Sequence, residues 1–242
     1  MSSVLTINTN KYKMDAKKAQ EAKRKQQLRQ KAILNRQEQK RKGGPSLEHF
    51  RWNLLGADKF VVGINRSYEV LPNAQITYFT DDDWYEVHKK RGFLNHKSVK
   101  IKGSLNPNKL QNDGHIYQFF LKGDQGLSTT PGVLHHGSNS PYAATNMLIQ
   151  WGFKKIYLLG IDMQHGRKDT KSKSKKKTHW HDGHRRIDSE GAFRGFVKKW
   201  GTMAQQAKDM GVEIINVNNN TALKAFPIKT YEEVFGPKCF TT

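Results

Sequence analysis

The spacing of apolar and polar residues changes period several times along this chain, and each change predicts an element. The clearest stretch begins near residue 138. Ser138, Asn139 and Ser140 offer side-chain oxygens for a helix N-cap, Pro141 suits a first helical turn, and Ala144, Met147, Leu148 and Trp151 recur at i, i+3, i+4 and i+7. That predicts a short helix with one apolar face, closed by Gly152. Residues 156–161 are a nearly unbroken apolar run ending at Asp162, the pattern of a parallel strand covered on both faces. With Val133-Leu134 as a short preceding strand, the pieces spell a βαβ unit. Ligands collect beyond the carboxyl ends of strands in open α/β sheets, so residues 135–140 and the residues after Asp162 are expected to share a site. From this unit alone, a simple capping role for Asp162 is the plainer reading.

The same patterning extends through the chain. Residues 59–64, 75–80, 98–102 and 115–121 read as further strands. Phe193, Phe196, Val197, Trp200, Met203, Ala204 and Ala207 fall at helical spacing, which predicts a long amphipathic helix over residues 189–210. Gly211 ends it, residues 212–217 return as a strand, and Asn218-Asn-Asn-Thr-Ala-Leu223 is a polar loop leading to a short helical turn. Strands alternate with helices without a long-period repeat. The fold class is therefore α/β, a single Rossmann-like domain with a mostly parallel sheet.

Charge divides the chain. Residues 14–42 are rich in good helix formers, yet Leu28, Ala32 and Ile33 are too few for a packing face. We expect a basic arm over residues 1–42, helical or disordered until it meets an acidic partner. Gly43-Gly44-Pro45-Ser46-Leu47 marks an abrupt change of composition, so the globular domain is assigned to residues 43–242. A glycine pair lets backbone amides approach a ligand, and the Pro-Ser that follows can start a helix whose N–H groups favour phosphate. The net charge is +21, but residues 1–42 hold 13 Lys or Arg against three acids and residues 165–177 hold seven against one. Only +5 is left for the rest of the chain. Two separate basic runs, the second in an insertion over residues 163–177, point to nucleic acid as a partner through counterion release. Lys23, Arg24, Lys25, Lys40, Arg41, Lys42, Lys175, Lys176 and Lys177 are its candidate contacts. Cys239 is the sole cysteine, which excludes an intramolecular disulfide and a multi-cysteine zinc site. Without a signal-peptide core or a membrane-length apolar run, the expected location is cytoplasmic.

Two clusters carry candidate chemistry. Asp81-Asp82-Asp83 at a strand end suits a metal or sugar contact, or equally the acidic first turn of a helix. His179, His181 and His184, around Asp182, leave three readings: a transition-metal site of unusual spacing, a general base, or a polar lip beside Trp180 and Arg185-Arg186. None of the three readings specifies a particular metal.

Several separated segments, in one order, carry a resemblance. Gly44-Pro-Ser-Leu47, Asn65 after a core strand, Ser140 through the Tyr157-Leu-Leu-Gly-Ile-Asp162 strand, His179-Trp-His-Asp-Gly-His184 and Asn220-Thr-Ala-Leu-Lys-Ala-Phe226 resemble motifs of the bacterial lipooligosaccharide sialyltransferases. They also resemble a related Rossmann-like family that includes proteins similar to 6-hydroxymethylpterin diphosphokinases. The resemblance covers residues 43–227 in outline. It implies a glycosyltransferase-like enzyme that moves a sugar from a nucleotide-sugar donor, its co-substrate, to an acceptor hydroxyl, with magnesium as the one further cofactor candidate. By position, His184 would be the general base, Gly43, Gly44, Asn65, Asn139, Ser140 and Asp162 would line the nucleotide, and His179 and Trp180 would stand near the leaving phosphate. Asp81 and Asp82 are the candidates for an acidic contact with a sugar or a metal.

Two departures accompany it. Pro141 lacks an amide that could meet phosphate. Gln39-Lys-Arg-Lys42 stand where an apolar strand precedes the glycine turn, so the first sheet strand is missing or supplied elsewhere. The basic segments suggest an acceptor carried on nucleic acid, as in DNA modification by a phage enzyme. The alternatives are a nucleotide or pterin diphosphate transferase on the same scaffold, which would need magnesium, and a non-catalytic nucleic-acid-binding protein.

Overall fold

Five short strands assemble side by side in the computed structural model, which describes residues 47, 50–55, 58–106, 115–164, 190–218 and 220–240. The chain divides into Met1–Lys40 and Arg41–Thr242, and every described residue belongs to the second unit. Strands β1 (Val62–Ile64), β2 (Ile76–Phe79), β3 (Val99–Ser104), β4 (Ile116–Leu121) and β5 (Val133–Leu134) form an all-parallel sheet in sequential order. Ile76 stands between Val62 and Val99, which sets the register at its centre. A second parallel sheet holds β6 (Lys155–Leu159), β7 (Glu213–Val217) and β8 (Ile228–Lys229). The helices are α1 (Asp82–Lys89), α2 (Ser140–Gln150), α3 (Glu190–Asp209) and α4 (Tyr231–Phe235). This is the α/β, Rossmann-like architecture that the sequence pattern predicts.

Helix α2 joins the two sheets. Ala143, Ala144 and Met147 pack with Ile76, Tyr78, Ile101, Leu121 and Leu134 of the first. Tyr142 and Ile149 pack instead with Ile156 and Leu158 of the second and with Trp200 and Met203 of α3. The helix is thus buried around most of its circumference, not along one stripe, and Trp151, expected on the apolar face, is 44% exposed. Strands β5 and β6 lie in different sheets, so the crossover through α2 connects sheets instead of neighbouring strands. Strand β6 is covered on one face only: Ile156 and Leu158 are buried, while Tyr157 is 42% exposed.

The carboxyl-terminal segment closes over the start of the described body. Tyr231 and Cys239 are buried with Leu47, Phe50, Ile215 and Val217, and Arg51 N–H donates to the Cys239 carbonyl at 2.8 Å. Thr230 and Glu233 form a reciprocal capping box that starts α4.

Several predicted features lie outside the described residues. They are the arm over residues 1–42 with Lys23, Arg24, Lys25, Lys40, Arg41 and Lys42, the pair Gly43 and Gly44, most of the insertion with Lys175, Lys176 and Lys177, and the segment carrying His179, Trp180 and His184. No described helix is long and apolar enough to cross a membrane.

Candidate functional site

The loops that leave β1, β2, β5 and β6 at their carboxyl ends meet around one cavity of about 1490 Å³. Each is held by local chemistry. After β1, Asn65 opens a 3-10 turn over Asn65–Glu69, and Ser67 Oγ donates back to the Ile64 carbonyl at 2.7 Å. After β2, Thr80 leads into α1, with Asp81 at the N-cap position and Asp82 and Asp83 in the first turn, where the helix dipole favours acids. Asp81 makes no side-chain capping bond. Asp82 instead accepts from Lys102 Nζ, a lysine only 2% exposed on β3, so a buried cation balances part of the acidic cluster.

After β5 the chain turns sharply through Gly137, whose φ of +54° and contact with the Tyr142 ring leave no room for a Cβ. Asn139 then caps α2 by accepting from Tyr142 N–H at 3.0 Å, and its amide group donates to the Gly137 carbonyl at 2.8 Å. Both ends of that side chain are thereby used within the loop. Ser140 Oγ lies 3.0 Å from Thr80 Oγ1, which ties the start of α2 to the end of β2. After β6, Asp162 accepts from Asn218 Nδ2 at 2.7 Å, and its carbonyl accepts from Ala222 N–H at 2.9 Å.

Backbone strain concentrates here. Among the described residues, the non-glycine positions with positive φ are Asn65 (51°), Ser138 (62°) and Met163 (51°), and all three line this cavity. The left-handed region costs an L-residue about 1–2 kcal/mol and persists only where surrounding structure enforces it. The Asn65 Oδ1 is also buried without a hydrogen-bond partner, a group that a ligand donor would satisfy.

The titrating groups at the loop after β5 are specific in state. Burial pushes the His136 imidazole below its ordinary range, Asp124 opposes the shift, and Lys199 and His135 add to it. His136 is therefore neutral at pH 7. Its Nδ1 accepts from Ser138 N–H at 2.9 Å, which leaves the proton on Nε2. Lys199, from α3, donates to Ser138 Oγ at 2.6 Å and pairs with Asp124 at 2.9 Å. That hydrogen bond holds the Asp124 carboxyl below the usual carboxylate range.

Of the residues predicted from sequence, Asn65, Asp81, Asp82, Asn139, Ser140 and Asp162 line this one cavity, and the loop after β5 joins the residues after Asp162 there, as the topology rule requires. Gly43, Gly44, His179, Trp180 and His184 fall outside the described residues. Thr80, Lys102, Lys199 and Asn218 were not singled out by pattern. Lys199 reads as one more polar position on α3 beside Lys198, and Lys102 as a polar position in a strand. Only the fold reveals that each meets an acid. Among the described residues no group of three or more His, Cys, Asp or Glu is placed to hold a metal ion. Comparison of the chain with protein-family models, curated proteins and solved structures returned no match.

Proposed function

We propose that the chain is a glycosyltransferase-like enzyme that moves a sugar from a nucleotide-sugar donor to an acceptor hydroxyl. The observation that carries this reading is the convergence of Asn65, Ser138 and Met163, all in left-handed conformations, on one cavity at the carboxyl ends of parallel strands. Such an edge suits a nucleotide: the unpartnered Asn65 Oδ1 accepts from a base or ribose donor, and the Thr80–Ser140 hydroxyl pair, which spends one proton between its members, keeps one O–H to donate nearby. In the proposed reaction the acceptor oxygen attacks the anomeric carbon, its proton passes to His184, and the nucleotide leaves with the bonding electron pair. The role of His184 rests on the motif resemblance. The acceptor is carried on nucleic acid in this reading, because most of the net charge of +21 sits in two basic runs.

The test is a thermal-shift panel of nucleotides and nucleotide sugars, with and without magnesium, since a ligand that binds only the folded state raises Tm. Selective stabilisation by one nucleotide sugar, with transfer lost in His184→Ala, is the expected result. A flat panel, or a His184→Ala protein that transfers normally, overturns the proposal. Asp81, Asp82 and Asp83 on the cavity wall favour one second reading, diphosphate transfer, for which a response to a nucleoside triphosphate only with magnesium is the signature.

A further inference from the structure

Asp124, Lys199 and Ser138 form a polar chain drawn from three segments: the loop after β4, helix α3 and the loop after β5. Lys199 Nζ lies 2.9 Å from the Asp124 carboxylate and donates to Ser138 Oγ at 2.6 Å. An ammonium accepts nothing, so the Ser138 oxygen receives that bond and its own proton stays available. No described residue takes that proton. Lys199 is 19% exposed and does not line the cavity, whereas Ser138 does. The cation therefore acts on the cavity through the Ser138 hydroxyl, which it polarises. Each member is held independently of that hydroxyl. The Tyr142 hydroxyl donates to the Gly126 carbonyl at 2.9 Å and lies 3.4 Å from the Lys199 carbonyl, and Gln206 of α3 accepts from Leu127 N–H at 2.6 Å. Ser138 nevertheless carries a φ of 62°, a conformation that costs a serine stability and a glycine nothing. Its hydroxyl is the feature that glycine would lack.

The rest of the loop narrows what can bind. His136 lines the same cavity, and its Nδ1 is occupied by Ser138 N–H, so Nε2–H is a second donor without a partner among the described residues. The start of α2 has little to add. Tyr142 N–H goes to the Asn139 side chain, Asn139 N–H goes to the His136 carbonyl, and Pro141 has no N–H. Two open side-chain donors in one loop complement an oxyanion. We infer that Ser138 Oγ–H and His136 Nε2–H form a subsite for a phosphate oxyanion, with Lys199, itself held by Asp124, as the residue that positions and polarises Ser138. The inference rests on the proposed function for the source of that phosphate, a mononucleotide, and on the loop for the anion itself. Asp124 neutralises Lys199, so recognition comes from directed donors and not from net charge. That sets the subsite apart from the two basic runs, whose attraction salt screens, and its share of the affinity persists at physiological salt.

Inorganic pyrophosphate, titrated by calorimetry into the full-length chain at physiological salt, tests the subsite without a nucleoside or a sugar. Ser138→Gly suits the left-handed backbone, so it removes the hydroxyl from a protein whose Tm is held or raised. It is expected to weaken pyrophosphate binding at least about tenfold. Lys199→Met keeps an unbranched stem without the charge and is expected to weaken binding comparably, while Lys199→Arg, which can donate to both Asp124 and Ser138, recovers most of it. In His136→Asn an amide oxygen can replace Nδ1 as acceptor while the Nε2 donor is lost, and binding falls by about threefold or more. A parent that does not bind pyrophosphate, or a Ser138→Gly protein that binds it as the parent does, overturns the subsite. Parent-like affinity in Lys199→Met overturns the positioning role. Displacement of pyrophosphate by a short thymidine oligonucleotide whose own binding depends on Ser138 overturns the assignment to a mononucleotide. The nucleotide-sugar reading fails separately: a flat nucleotide panel beside Ser138-dependent pyrophosphate binding supports the subsite and rejects that donor.

Discussion

His88 is 4% exposed, its Nδ1 is hydrogen-bonded with the Tyr68 hydroxyl at 2.8 Å, and its ring stacks on Trp84 with centroids 4.3 Å apart. Burial pushes its pKa from 6.5 to about 4, with Glu69 opposing and Arg66 and Arg91 adding to the shift. The unfolded chain takes up this proton near pH 6.5, whereas the folded one does so only near 4. The stability contributed by the neutral ring is therefore complete above pH 6.5 and is lost as pH falls from 6.5 toward 4. His96 and His136 shift in the same direction, also through burial. Urea unfolding is expected to show His88 costing about 1–3 kcal/mol on going from pH 7 to pH 4.5. His88→Phe keeps an aromatic ring and flattens that slope, and parallel curves for variant and parent would contradict the assignment. Asn65 separates stability from binding in the same way. Glycine accepts a φ of 51° without steric cost, and Asn65→Gly removes an unpartnered buried oxygen. It is expected to hold or gain up to about 1 kcal/mol of stability while abolishing the nucleotide-dependent rise in Tm. A rise that survives in Asn65→Gly means that the nucleotide does not touch this residue.

At the scale of elements, α2 does more than its sequence pattern discloses. Asn146 is fully buried, accepts from Ser128 N–H at 3.0 Å and His135 N–H at 2.9 Å, and donates to the Ser128 carbonyl at 2.9 Å. One side chain thus fastens the segments on both sides of β5 to the helix that carries the site. Asn146→Leu strands the Ser128 and His135 N–H groups, while the Ser128 carbonyl keeps Gln150 Nε2 at 2.8 Å, and a loss of about 2–4 kcal/mol in chemical denaturation is the expected result. A loss below about 1 kcal/mol would mean that the loops hold themselves. From sequence an asparagine in a helix reads as solvent-facing, and so the all-round burial of α2 is hidden. Its start is plain, because Asn139 and Pro141 are local signals. The Thr230-Tyr-Glu-Glu233 box that begins α4 is equally local and can be read from the chain, whereas β8, two residues long, has no periodicity to detect. The site divides along the same line. Residues fixed by their place at a strand end, such as Asn65 and Asp162, are legible, while Lys102 and Lys199 depend on acids distant in sequence, Asp82 and Asp124.

For the whole molecule, the distribution of charge separates polymer binding from the pocket. Residues 1–42 and 165–177 carry +16 of the net +21, and the remainder of the chain, which supplies the described cavity, carries +5. Each phosphate contact made by a Lys or Arg releases a counterion and adds about −0.9 to the slope of log K against log salt on duplex DNA. If both runs bind the polymer, they contribute to that slope independently of the cavity. Replacing Lys175, Lys176 and Lys177 with alanine is then expected to flatten the slope by about 2–3, and deleting residues 1–42 by more, in anisotropy titrations from low to physiological salt. Asn65→Gly should leave the slope unchanged, because the pocket supplies no phosphate-pairing cation at that position. A slope that depends on Asn65 but not on the basic runs would place the polymer in the cavity itself, making nucleic acid the ligand there and removing the reason to seek a nucleotide sugar.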